Sequence, residues 1–130
     1  MKRYVKSSKE LRKFWVKSDI DVIECNQYSE EIDSSTWRAE YMTDDYITAE
    51  SPMEAWELAK DWIKEQFSQD HEIYVIDSYE THNPEQYIIE YESSRMDSDS
   101  WYKAAYYNIV VEEDILTEDG IKERVEVLRF

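Results

Sequence analysis

Ser51-Pro52-Met53-Glu54-Ala55-Trp56-Glu57-Leu58-Ala59-Lys60-Asp61-Trp62-Ile63-Lys64-Glu65-Gln66-Phe67 is the stretch on which the fold reading turns. Ser51 offers the hydroxyl of a helix N-cap. Pro52 stands at the first helical position, where a missing N–H costs nothing. Glu54, three residues after the cap, completes a capping box. On a helical wheel Ala55, Trp56, Leu58, Ala59, Trp62, Ile63 and Phe67 cover one broad arc, and Glu54, Glu57, Asp61 and Glu65 cluster on the other. This pattern predicts a long amphipathic helix at the centre of the chain.

On both sides the apolar period falls to two. Ile20 to Cys25, Thr36 to Met42 and Asp45 to Ala49 read as strands before the helix. After it come segments starting at Ile73, at Tyr87 and at Trp101, then a last strand from Ile121 to Phe130. Tyr28 to Ser35 reads as an acidic turn region, and Thr81-His82-Asn83-Pro84 as a turn. Asp119-Gly120 is a hairpin signature. Towards the N-terminus, Ser7 and Glu10 form a second capping box ahead of a short helix over 8–17. Leu11, Phe14 and Trp15 share one face of it, and Lys9, Arg12, Lys13 and Lys17 the other. The expected architecture is one α+β domain over 1–130: an antiparallel sheet of about five to seven strands packed on one long central helix, with a short basic N-terminal helix.

The net charge is −16. Residues 1–17 hold seven bases against one acid, and the remaining residues eight bases against thirty acids. Such a body repels nucleic acid and anionic membranes, so neither is an expected partner. Five Trp and eleven Tyr argue for a folded core rather than an acidic tail. The single cysteine, Cys25, allows no internal disulfide, suits a cytoplasmic protein, and reads as an inert thiol in an apolar strand.

Chemistry finds little to stand on. One glycine, Gly120, cannot build a phosphate-cradling loop. His71 and His82 sit alone in turn-like sequence, so no metal site is expected. Asp97-Ser98-Asp99-Ser100 opens like a calcium loop but lacks its glycine and distal Glu. Tyr87 and Tyr91 share a strand face with Ile89, which suits a half-buried strand. The most shaped feature is the row Glu57, Asp61, Glu65, rising about 6 Å per step, the order of phosphate spacing along a nucleic-acid strand.

In size, acidity and aromatic content the chain resembles the anti-CRISPR and other anti-defence inhibitors of phages and mobile elements. The stretch Ala49 to Ala55 also resembles a strand-to-helix junction of many small bacterial and phage proteins. The resemblance implies an inhibitor that imitates DNA on a Cas nuclease. The function expected is therefore non-enzymatic: an acidic protein, without cofactor, that docks on a basic nucleic-acid-binding protein. Its partner-binding face would hold Glu54, Glu57, Asp61, Glu65, Asp44, Asp45, Glu30, Glu31, Asp33, Asp97 and Asp99, apart from the basic group Lys9, Arg12, Lys13 and Lys17. The alternative is a small assembly domain that self-associates through an exposed edge strand.

Overall fold

The computed structural model describes residues 11–96 and 99–130. The order is β1 (Arg12–Cys25), β2 (Glu31–Tyr41), β3 (Ile47–Ala49), α1 (Pro52–Gln69), β4 (Ile73–His82), β5 (Glu85–Ser93), β6 (Trp101–Leu116) and β7 (Lys122–Arg129). All pairings are antiparallel, in one sheet of order β2-β1-β6-β5-β4, with β3 beside β1 and β7 beside β6. β6 is the spine. It pairs β1 along one edge over 101–113, and β5 and then β7 along the other.

This overturns the expectation of a sheet packed on a long central helix with a second, basic helix before it. The chain is mostly sheet, and its one described helix has 18 residues and lies over part of one face. The basic helix over 8–17 does not form within the described residues: Arg12, Lys13 and Lys17 belong to β1, and Lys9 lies outside them. The physical reason is period. Phe14, Val16 and Ser18 are fully buried in alternation, and Ile20 and Val22 continue the row against the core. A strand puts the neighbours Phe14 and Trp15 on opposite faces, where the wheel had set them together.

The central helix begins as its sequence dictates. Ser51 Oγ accepts the Glu54 N–H (3.1 Å), and Glu54 Oε1 accepts the Glu50 N–H (2.9 Å). Its buried stripe is narrower than the wheel suggested: Ala55, Trp56, Ala59, Lys60 and Ile63. Trp62 and Phe67 are half-buried and Leu58 is exposed. Most of the core therefore comes from the sheet. Phe14, Val16, Tyr87, Ile89, Tyr91, Tyr102, Ala104, Tyr106, Ile109 and Val111 meet α1 on one side. Tyr91 stacks on Tyr102 (5.5 Å) and meets Phe67 (5.0 Å).

A line of irregularities crosses three strands. β1 shifts register around Ser18 and Asp19 against both neighbours, and Ala39 and Asn108 take positive φ of 48° and 51°. Asp19 ties them together. Its carboxylate accepts the Ala39 N–H (2.9 Å), the Asn108 amide (2.8 Å) and the Arg38 guanidinium (3.1 Å). These bonds, the Asn108 one foremost, hold its pKa below the usual carboxylate value. Bulges aligned in this way coil the sheet locally.

Candidate functional site

The acids singled out in the sequence fall into separate groups. Glu54, Glu57, Asp61 and Glu65 are all exposed along the outer side of α1. Glu57 pairs with Lys60 (2.9 Å), Glu65 accepts from Gln69 (2.8 Å), and Glu54 is engaged in the cap. Asp44 and Asp45 lie in the loop before β3, where Asp45 accepts the Tyr46 N–H (2.8 Å). Glu30, Glu31 and Asp33 belong to the β1–β2 hairpin and the start of β2. Asp99 is exposed in the loop before β6, and Asp97 lies outside the described residues.

β1 measures how far apart these groups are. Its first residues pair with β3, next to Asp44 and Asp45, and its last residue pairs with Glu31. At about 3.3 Å per residue the two loops are roughly 40 Å apart along the strand. The hairpin and Asp99 share an end of the sheet, because Ser100 Oγ donates to Glu24 (2.7 Å) and Trp101 Nε1 to the Asn26 carbonyl (3.1 Å). Glu30, Glu31, Asp33 and Asp99 therefore come together, away from Asp44 and Asp45.

The basic residues are mostly spent on internal partners. Arg12 pairs with Glu113 (3.3 Å), Lys17 with Glu112 (3.1 Å), Arg95 with Asp70 (2.8 Å) and Glu72 (2.6 Å), and Arg129 with Glu126 (2.6 Å). Arg124 pairs with Asp114 (2.8 Å) and lies over the Trp15 ring (4.2 Å). Burial alone would raise the Asp114 pKa, but the bonds from Arg124 and Trp15 Nε1 bring it below normal. Lys13 lies over Tyr46 (4.7 Å). Of the basic group expected on a helix, Lys13 and Lys17 thus stand in a cation–aromatic row on the sheet face opposite the core, and Arg12 lies over Phe14.

Two clusters escape the sequence. Lys60 is 4% exposed and pairs with both Glu57 and Glu80. Burial pulls its pKa down, but the hydrogen bonds it donates to Glu80 and Glu57 outweigh this and leave it raised. His82 is not isolated either. Its ring meets Glu85 (3.0 Å), whose other oxygen accepts from Trp56 Nε1 (2.9 Å). Ligand atoms of Glu80, His82 and Glu85 lie within 4.8 Å of one another, a spacing that could hold a cation, but the Lys60 ammonium already engages Glu80. The hairpin register that sets His82 opposite Glu85 is the signal that would have found the pair. Cys25 is buried, and burial pushes its thiol pKa up, against nucleophilic use.

Comparison with known proteins finds no matching family model, no matching curated protein and no matching solved structure. Among the described residues no helix is long and apolar enough to cross a membrane.

Proposed function

We propose that this chain is a non-enzymatic acidic binding protein that docks in the cytoplasm on the basic surface of a nucleic-acid-binding protein, a CRISPR nuclease being the partner class that its resemblance suggests. The observation that carries this is how its charge is distributed. The described residues hold eleven Lys and Arg against twenty-nine Asp and Glu. Most of those bases are consumed by ion pairs within the fold. Glu30, Glu31, Asp33, Asp44, Asp45, Glu54, Asp61 and Glu65 are exposed and carry no ion pair among the described residues. Carboxylates left in this state attract a cationic surface, and long-range charge of one sign speeds the encounter.

The test is capture from host lysate on the immobilised protein, followed by kinetics with the captured partner. Association should slow steeply with salt, because exposed pairs are screened over about 8 Å at physiological ionic strength. DNA or RNA should compete. Changing Glu57, Asp61 and Glu65 to Lys should slow association more than it speeds dissociation. Binding that ignores both salt and nucleic acid would overturn the reading.

A further inference from the structure

Among the described residues β2 is an edge strand that pairs only with β1, and all of its eleven residues are exposed. Natural edges are blunted by Lys, Pro or bulges. Residues 31–37, Glu-Ile-Asp-Ser-Ser-Thr-Trp, contain no Lys and no Pro; the register slips at Ile32 and again at Arg38 and Ala39, and 33–37 is the regular stretch between the two irregularities. The Ser34 N–H donates to Asp33 Oδ1 (2.9 Å), so a side chain serves an amide of this edge.

Beside the edge the core is left open. Among the described residues α1 packs mainly towards β3, β4, β1 and β6, with no comparable packing against β2. Where its cover stops, a groove of about 210 Å³ is lined by Val22, Trp37, Met96 and Tyr102, with Glu24 and Asp33 among them. Trp37 is 47% and Met96 56% exposed, and Ile32 stands 54% exposed on the same strand. An apolar anchor site next to carboxylates, on an edge able to accept a strand, is the arrangement that binds an extended peptide. Main-chain bonds supply affinity and alternate side chains supply selection.

We propose that 31–37 and this groove receive an extended basic segment of a partner protein as an added antiparallel or parallel strand. Its Lys or Arg stems would lie on Trp37 and Met96, with their charged heads reaching Asp33 and Glu31. The occupant is fixed by charge. Glu30, Glu31, Asp33 and Asp99 gather at this end of the sheet, so an acidic or neutral strand, including β2 of a second copy, is disfavoured. This rests on the acidic-docking reading and gives it a location.

The probe is a nine-residue peptide of alternating Lys and Val, titrated by amide NMR. Shifts and slowed amide exchange should concentrate in 31–37. Trp37→Ala and Asp33→Lys should each weaken binding at least tenfold, and both sites are exposed, so folding should survive. Ser34→Pro removes an edge N–H and should weaken binding comparably. Its thermal midpoint should be measured alongside, and Asp33→Lys decides the matter if Ser34→Pro fails to fold. Changing Glu118 and Asp119 to Lys, in the exposed turn between β6 and β7, should leave binding within twofold. Loss of binding on changing Glu57, Asp61 and Glu65 to Lys, with the β2 variants unaffected, would overturn this site and leave the acidic-docking reading standing. A wild-type protein that binds the peptide at no salt concentration would overturn both. Self-association lost on Trp37→Ala would replace the basic segment with a second copy.

Discussion

The Ser18 hydroxyl is buried and has no hydrogen-bond partner within the described fold. An unmet buried polar group costs about 1–3 kcal/mol, so Ser18→Ala should be neutral or stabilise by about 1 kcal/mol, read from urea unfolding. A loss of that size would mean the hydroxyl is satisfied after all. His82 provides a residue with a pH signature. Its hydrogen bond and charge contact with Glu85 raise its pKa above the ordinary 6.5. A raised folded-state pKa contributes stability that is complete below the unfolded value and disappears as pH rises through the folded one. His82→Gln should therefore cost stability at about pH 5.5 and little at about pH 8.5, and an equal cost at both would show that the pair does not couple to folding.

At the scale of elements, α1 is held by one deep side chain more than by its whole apolar arc. Trp56 is fully buried and hydrogen-bonded to Glu85. Trp56→Ala should cost about 3–5 kcal/mol, Trp62→Ala less, and Glu57→Ala about half a kcal/mol. Equal costs at Trp56 and Glu57 would contradict the facing of the helix. Ser51→Ala should cost about 1 kcal/mol through the lost cap. The helix start, buried Cys25, the Gly120 turn and the presence of seven extended segments were legible, because caps, alternation and a positive φ leave local marks; the first part of β1, expected as a helix, and of β2, expected as a turn region, were not. The balance between helix and sheet was not. Ten residues around Phe14 fit either period, and the decision came from β6, which Trp15 reaches across 99 residues to meet Asp114. Lys60 was missed for the same reason, because its partner Glu80 comes from β4, whereas His82 and Glu85 are neighbours across a hairpin whose register had to be known.

The whole molecule carries −16 on a single sheet with one described helix. Self-repulsion of that size opposes the compact state and is screened by salt. The thermal midpoint should rise when NaCl goes from about 10 mM to about 150 mM. A fall would show that the internal ion pairs, which salt weakens, outweigh the surplus acid. Which carboxylates share an end of the sheet was not legible in the sequence, since it depends on the strand order.

The spine position of β6 has a consequence for how the protein is made. β1 is made before its main partner, the strand over 101–116, which follows only after β2, β3, α1, β4 and β5. Until then the row Phe14, Val16, Ile20 and Val22 can be covered on one flank only, by β2 and β3. Pairing between such distant segments is slow and leaves sticky surface open meanwhile. On the ribosome the nascent chain would thus carry a half-dressed strand until β6 has emerged. Anything that shelters that strand, from a chaperone to a slower rate of translation, would govern how much of the protein reaches its folded form.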